Sequence, residues 1–404
     1  MSKNSGTTVT ILGLGYIGLP TAALMAGKGL RVFGVDVNRK VVDTINKGRI
    51  HIVEPALEGL VHSVVRKGRL TASGKVVPTD VYMVAVPTPF KSGHRPDLTF
   101  VEKATRMVIP QLKEGTLFII ESTSPVGTTE KMAKLIYRQR PELKGKIHIA
   151  YCPERVLPGN VLHELQQNDR VIGGIDESSV AAASRFYGLF VRGKLHGTNA
   201  RTAEMTKLVE NAYRDVNIAF ANQLSVICDK AGINVHELIA LASRHPRVNI
   251  LKPGPGVGGH CIAVDPWFIV SAFPKNAGLI REAREVNLAK TSWVIEKITK
   301  AAATFKKKVG RSPVIACMGL AYKPDIDDLR ESPALEVFRH LIKKGMKVLP
   351  VEPNISATRS LRVFDTAAAL DKADIIVFLV RHKEFVNLPI KGKTVLDFCG
   401  ASGF

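Results

Sequence analysis

The sequence predicts an α/β protein in three parts: a parallel-sheet domain, a central all-helical stretch, and a second, smaller α/β domain. Three observations predict it. Short apolar, β-branched runs alternate with helical stretches through the first half of the chain. A single helical pattern of about 30 residues then takes over. Strand-and-helix alternation returns near the C-terminus. The 404 residues have room for two or three domains. With 45% apolar and 23% charged residues, the chain is too apolar to be disordered and long enough to bury sizeable cores.

Each element has its own signal. Residues 9–12 are a buried-type run that ends in glycines, and residues 19–28 read as a helix. Residues 31–35 form the next strand, ending at Asp36. Strands at 81–86, 117–121 and 147–151 continue the pattern, with helices at 101–112 and 129–138 between them. Such alternation implies a parallel sheet with both faces covered. From 202 to 231, Met205, Leu208, Val209, Ala212, Val216, Ala219, Phe220, Leu224 and Ile227 recur at helical spacing, with Asn199 placed to cap the start and Gly232 to end it. That helix would be roughly 45 Å long. It is too long for one small domain's face, so it should link domains and offer a dimer interface. Helices at 235–243 and 279–302 follow. After the basic stretch 306–311, strands at 314–318, 347–351, 375–380 and 394–398 alternate with helices at 334–344 and 366–373. The expected domains are 1–197, 198–305 and 306–404.

Composition limits the function. Fifty-seven Lys and Arg against 36 Asp and Glu give a net charge of +21, which favours an anionic partner. A nucleic acid, an anionic membrane and a phosphate-bearing substrate all satisfy that charge. The basic residues, however, are scattered, without aromatic interleaving or a nucleic-acid module, so nucleic-acid binding is not expected. No window approaches 18 uninterrupted apolar residues and the N-terminus lacks a signal-peptide pattern, so a cytoplasmic protein without a membrane span is expected. Five cysteines make no disulfide framework, and without a C-x-x-C spacing no metal is expected.

Several residues carry chemistry. Gly13, Gly15 and Gly18 form G-x-G-x-x-G between the first strand and the first helix, enclosing Tyr16 and Ile17. The three glycines serve the tight turn, the approach of a pyrophosphate to the backbone, and helix–strand packing. The helix N-terminus offers its N–H groups to phosphate. Asp36, ending the next strand, would bind adenosine ribose hydroxyls and repel a 2′-phosphate, so the first domain reads as Rossmann-like and the cofactor as NAD. Cys261 lies in Gly256-Val257-Gly258-Gly259-His260-Cys261, where glycines let a ligand approach and His260 could lower the thiol pKa. From spacing alone, Cys261 is equally well a nucleophile or a small buried cysteine. Cys152, Cys228, Cys317 and Cys399 sit in strand or helix runs and read as core. Glu204, Lys207 and Asn211 share one face of the long helix. A polar stripe of this kind is expected to be solvated, with Asn211, among apolar neighbours, at the edge of a wetted cleft. Glu154, beyond a strand end, reads locally as a loop ion pair with Arg155. Thr123, beyond another strand end, reads as a helix cap.

Taken in order, Gly13–Gly18, Val86-Pro87-Thr88-Pro89, Ser122–Gly127, Pro153-Glu154-Arg155, Lys207 with Asn211, Gly258–Cys261 with Asp265, and Lys323 with Arg330-Glu331-Ser332 resemble the nucleotide-sugar 6-dehydrogenases over essentially the whole chain. This is the UDP-glucose/UDP-mannuronate dehydrogenase family. The stretches His51-Ile52-Val53-Glu54-Pro55, Arg244–Asn249 and Pro253–Trp267 are similar to the N-acetylated-sugar branch. The resemblance implies an NAD domain, a helical dimerisation domain and a C-terminal UDP-sugar domain. It also implies four-electron oxidation of a primary alcohol through a thiohemiacetal and thioester on Cys261. Lys207 would stabilise the oxyanion beside Asn211. Asp265 and Glu154 would manage protons and the hydrolytic water, and Thr123 would help hold that water. Pro87, Thr88, Thr123 and Arg330 would join the glycine turn around the cofactor. Glu154, Arg155, Val156, Lys207, Asn211, Arg214, His245, Gly258, Tyr322 and Lys323 would contact the sugar nucleotide, with Arg247 reaching the partner's site in a homodimer.

Three positions depart from the wider family. Pro158-Gly159 stands where a second carboxylate is common, Val41 replaces a basic residue, and Leu396-Asp397-Phe398-Cys399-Gly400 lacks an Arg. A single-step hydroxyacid dehydrogenase is the competing enzyme reading. It requires neither Cys261 nor the second α/β domain.

Overall fold

In the computed structural model, residues 6–52, 54–156, 159–355 and 361–402 are described. The chain divides into two compact units, Met1–Val209 and Glu210–Phe404.

The first unit is built on an eight-stranded sheet ordered β10-β9-β8-β7-β4-β1-β2-β3. Its strands are β1 (Thr8–Leu12), β2 (Arg31–Val35), β3 (Leu70–Ser73), β4 (Val81–Val84), β7 (Leu117–Ile120), β8 (His148–Tyr151), β9 (Arg170–Gly174) and β10 (Leu195–Asn199). The two-residue strands β5 (Phe90–Lys91) and β6 (Arg95–Pro96) form a separate antiparallel ribbon. Helices α1 (Gly18–Gly27), α2 (Arg39–Asn46), α3 (Leu57–Arg66), α4 (Thr99–Val108), α5 (Thr128–Gln139), α6 (Val161–Gln167) and α7 (Glu177–Tyr187) connect the strands. The sheet is parallel except where β8 meets β9. Two cores cover its faces. One centres on Ile11, Leu19, Met25 and Phe186, the other on Val84, Phe118, Ile136 and Tyr151. Continuous apolar runs such as Val81–Val84 are buried at every position, as expected of parallel strands covered on both sides.

Helix α8 (Ala200–Ala231) is 32 residues long and matches its predicted signals. Asn199 accepts the N–H of Thr202 at 2.9 Å, and Gly232 follows with φ +69°. Not all of its apolar repeat is covered: Val209, Phe220 and Ile227 are about half exposed.

The second unit continues with α9 (Val235–Ala242), α10 (Asp265–Ala272) and α11 (Gly278–Val309). It then builds a four-stranded parallel sheet, β12-β11-β13-β14, from β11 (Val314–Met318), β12 (Lys347–Val351), β13 (Ile375–Phe378) and β14 (Thr394–Asp397), with α12 (Pro333–Lys343) and α13 (Thr366–Lys372). Helix α11 runs past the predicted end at 302, because Lys306, Lys307 and Lys308 occupy its last turn, where cations complement the helix dipole. Gly310, at φ +80°, ends it. Ile298, Ile315, Leu335 and Val377 lie in one core, and Met318, Ile376, Phe378 and Phe385 in another. Among the described residues, no helix is long and apolar enough to cross a membrane.

Gly173 shows how tightly the start of α8 packs in the first unit. A Cβ there would stand 2.6 Å from the Ala203 Cβ and 2.7 Å from the Asn199 carbonyl oxygen. Gly173→Val should therefore destabilise the protein by about 1–3 kcal/mol, read as a lower midpoint in thermal or urea unfolding. An unchanged midpoint would contradict this packing.

Candidate active site

In the first unit, the segments after β1, β4, β7 and β8 emerge from one edge of four adjacent parallel strands, where open α/β sheets bind ligands. The glycine turn divides its labour as the motif requires. Gly13 has φ +92°, and a Cβ there would lie 2.7 Å from the Ala85 carbonyl oxygen. A Cβ on Gly18 would lie 1.8 Å from the Gly13 carbonyl oxygen. At Gly15 an added Cβ meets nothing within 4 Å, so that side of the backbone is open to approach. The first turn of α1 holds no acidic side chain, and Ile17 makes no side-chain cap, which suits an anion at the helix start. Tyr16 and Ile17 are half-buried on this turn. Asp36 is fixed facing it, accepting the N–H of Leu14 at 3.0 Å and of Asn38 at 2.8 Å. These residues fit a nicotinamide dinucleotide.

The segment with Pro87 and Thr88 is tied to the end of β7 through Ser122, whose hydroxyl donates to the Val86 carbonyl at 2.7 Å. Thr123 is half-buried beside it, but it does not cap α5. Glu204 does that work from α8, accepting the N–H groups of Gly127 and Thr129 at 2.6 and 2.7 Å and the Thr129 hydroxyl at 2.6 Å. Burial raises the Glu204 pKa, while these hydrogen bonds oppose the rise.

The expected solvated stripe is therefore corrected. Glu204, Lys207 and Asn211 are all buried, because each has a polar partner that removes the cost of leaving water. For Lys207 the partner is Glu154, whose Oε1 lies 3.3 Å from Nζ. The local reading of Glu154 with Arg155 is thus replaced. Arg155 instead donates to the Asp169 carbonyl at 3.1 Å, and the other Glu154 oxygen accepts the Val156 N–H at 2.9 Å.

Two supports of this segment were not anticipated from the sequence. Buried Arg170 donates to the Pro153 carbonyl at 3.4 Å and lies 3.7 Å from Glu121 Oε1. Glu54 accepts the N–H groups of Gly159 and Val161 at 2.9 and 2.8 Å. A carboxylate directly before Pro55 was the only sequence signal for the second. Pro158 lies outside the described residues. Cys152, below Glu154, is a core residue whose thiol is pushed up to about 11 by burial.

In the second unit, Cys261 is the exposed cysteine, while the other four are buried. Its carbonyl accepts the N–H groups of Val264 and Asp265 at 3.0 and 2.8 Å, opening the turn into α10. Asp265 Oδ2 accepts from Asn211 Nδ2 at 2.6 Å, so these two predicted residues meet. Gly258 and Gly259 are required by contact. A Cβ on Gly258 would stand 2.3 Å from the Glu331 carbonyl oxygen, and one on Gly259 would stand 2.8 Å from the Tyr322 ring. Tyr322 thus packs on the Cys261 loop, and burial, then the nearby Asp328 carboxylate and Cys261, raise its phenol pKa.

His260 does not supply the positive charge expected of it. Burial, then the nearby Arg330 guanidinium, lower its pKa, so the imidazole is neutral near pH 7. Arg330 is gripped by Asp328, with Nη2 at 2.6 Å from Oδ2. Lys323 is half-buried, and Arg214, His245 and Arg247 are exposed. The C-terminal segment without an Arg is reached by Arg381, whose Nε donates to the Gly400 carbonyl at 2.8 Å.

Comparison with known proteins agrees with both units. Three models of the UDP-glucose/GDP-mannose dehydrogenase family match: the NAD binding domain over residues 7–191, the central domain over 201–289 and the UDP binding domain over 316–401. The chain is 54% identical to the UDP-N-acetyl-D-mannosamine dehydrogenase of Escherichia coli K12, covering 94% of this chain and 95% of that one. It is 53% identical to an NDP-N-acetyl-D-galactosaminuronic acid dehydrogenase of Ralstonia nicotianae, covering 97% and 96%. Among solved structures, the UDP-N-acetyl-mannosamine dehydrogenase of Staphylococcus aureus superposes with TM-score 0.87 at 39% identity, covering 97% of this chain and 94% of that one.

The Lys207–Glu154 pair gives a direct test. Removing one partner strands a buried charge, so Lys207→Met or Glu154→Gln alone should cost about 3–5 kcal/mol. The double variant should cost less than the sum, by at least about 1 kcal/mol, in a denaturant-unfolding cycle. Strictly additive losses would contradict the pairing.

Proposed function

The chain belongs to the UDP-glucose/GDP-mannose dehydrogenase family of NAD-dependent enzymes, and on that footing we propose that it oxidises the C6 primary alcohol of UDP-N-acetyl-D-mannosamine to the carboxylate, with two NAD consumed per turnover. The observation that carries this reading is the exposed Cys261, set in a glycine loop and opening a helix turn, while the other four cysteines are buried. A single alcohol-to-aldehyde oxidation has no use for a nucleophilic thiol, whereas an aldehyde must first accept a nucleophile before it can lose a second hydride. Bound NAD⁺ supplies the hydride acceptor.

The chain's own residues account for the remaining steps. The Cys261 thiolate adds to the aldehyde carbon, forming a C–S bond and an oxyanion. Lys207 Nζ stabilises that oxyanion, and its charge is held in place by Glu154. Loss of hydride leaves a thioester. Water adds to it, the C–S bond breaks, and the products are the carboxylate and a regenerated thiol. Asp265, fixed by Asn211, and Glu154 take and return protons around that water, and Thr123 helps hold it. Arg155, Val156, Arg214, His245, Gly258, Tyr322 and Lys323 bind the sugar nucleotide. The turn Gly13–Gly18, Asp36, Pro87, Thr88, Thr123 and Arg330 bind the cofactor. In this reading the enzyme is a homodimer with Arg247 reaching the partner's site. Support comes from the half-exposed Val209, Phe220 and Ile227 on α8, apolar surface that a second copy would cover.

The choice of sugar rests on the mannosamine-dehydrogenase relatives at 52–54% identity. The same chemistry on an N-acetylgalactosamine nucleotide is the second reading, favoured by the Ralstonia relative. N-acetylglucosamine and glucose nucleotides are further alternatives. NADH formed per substrate consumed decides among them. Two per UDP-N-acetylmannosamine, and none with the gluco or galacto epimers, is the expected result. Two with another epimer overturns the sugar, and one per substrate overturns the four-electron mechanism. Cys261→Ser should form no uronate, and uronate at the unmodified rate would exclude covalent catalysis.

A further inference from the structure

The loop from 251 to 260 that leads into Cys261 contains no helix or strand. Its backbone is held instead by a chain of buried side chains in the second unit. Arg284 on α11 donates from Nη1 to Asp215 Oδ1 on α8 at 2.6 Å. Asn287 Nδ2 donates to the same oxygen at 2.8 Å and to the Asp215 carbonyl at 3.1 Å. Asn222 Nδ2 donates to Asn287 Oδ1 at 2.8 Å, and Asn222 Oδ1 accepts the N–H of Gly254 at 2.9 Å. All four side chains are at least 98% buried.

The order of these bonds has a direction. A carboxylate can only accept, so Asn287 must turn its amide nitrogen to Asp215 and its oxygen away. That oxygen can only be met by the nitrogen of Asn222, which leaves the oxygen of Asn222 for Gly254. If either amide turned over, donor would face donor or acceptor would face acceptor, in a site buried away from bulk solvent. Each such mismatch costs about 1–3 kcal/mol. The same loop is gripped again one residue later, where the Thr291 hydroxyl donates to the Pro255 carbonyl at 2.8 Å. At its far end, Gly258 and Gly259 lie against Glu331, Pro333 and Tyr322.

We infer that Asn287 and Asn222 form a one-way amide relay from the Asp215–Arg284 ion pair to the Gly254 N–H, which makes them positioning residues for Cys261. The inference rests on the reading of Cys261 as the nucleophile. Neither asparagine touches the thiol. Their effect is to set the path of the backbone seven residues ahead of it. A buried polar chain of this kind specifies one conformation rather than adding net stability. Misplacing a reacting group by about 1 Å can cost about a hundredfold in rate.

The test compares Asn287→Leu and Asn222→Ala with Phe378→Leu, a control in the core of the four-stranded sheet that loosens the unit without touching the loop. The first readout is the rate of Cys261 alkylation by iodoacetamide in the full chain, followed by peptide mass across about pH 6–9. The second is kcat and the KM for NAD. Both relay variants should change the alkylation rate at least about threefold and shift its pH midpoint. They should lower kcat by about tenfold or more, with the KM for NAD within about twofold. The control should move neither alkylation nor its midpoint. Thr291→Val removes only the neighbouring hydroxyl anchor and should show the same pattern, which keeps the test decisive if a relay variant does not fold. Wild-type alkylation and kcat in the relay variants, or an equal change in the control, would overturn the relay. If alkylating Cys261 in the unmodified enzyme leaves NADH formation intact, the nucleophile reading falls and this inference falls with it. If alkylation abolishes NADH formation while the variants behave as wild type, the relay alone falls.

Discussion

Helix α8 turns a line of polar side chains away from water, and most of the candidate machinery follows from the need to partner them. Glu204, Lys207, Asn211, Asp215, Asn222 and Ser225 follow one another at spacings of three, four or seven, and all are buried. An unsatisfied buried polar group costs about 1–3 kcal/mol, and more when charged. Each of the six therefore fixes another part of the chain. Glu204 fixes the start of α5, Lys207 holds Glu154, and Asn211 holds Asp265. Asp215 and Asn222 fix α11 and the loop before Cys261, and Ser225 accepts from Lys290. Lys290 is buried against the Trp293 ring, at 3.9 Å from its centroid, and burial lowers its pKa to about 7.

In the proposed mechanism the lysine beside the oxyanion must not wander, and the Glu154 carboxylate, 3.3 Å from Lys207 Nζ, holds it in place at the cost of desolvating two ions. The thiol side works differently. The neutral His260 gives Cys261 no cation, and the thiol is exposed.

Much of the fold was legible because its signals are local. The strand runs at 31–35, 314–318 and 347–351 coincide with β2, β11 and β12, and Asn199 and Gly232 bracket α8 as read. The glycine turn and Asp36 were legible because the whole pattern lies within one βαβ unit, although the atom that Gly13 must clear, the Ala85 carbonyl oxygen, comes from beyond it. What escaped was decided by partners distant in sequence. The stripe on α8 looks like a solvated face until Gly127, Glu154 and Asp265 are brought to it. Glu54 and Arg170 act on backbone groups far along the chain. Conversely, Val209, Phe220 and Ile227 belong to the same helical repeat as Leu208 and Ala212, but they lie about half exposed. Periodicity shows that a helix has two faces without showing which one is covered.

The most direct test of the account is the mass of the Cys261 peptide from enzyme quenched during turnover with UDP-N-acetylmannosamine and NAD⁺. The account predicts a substrate-derived thioester on Cys261 that appears only when both are present and decays as uronate forms. Uronate production with Cys261 unmodified at every quench time, under conditions that preserve thioesters, would contradict it.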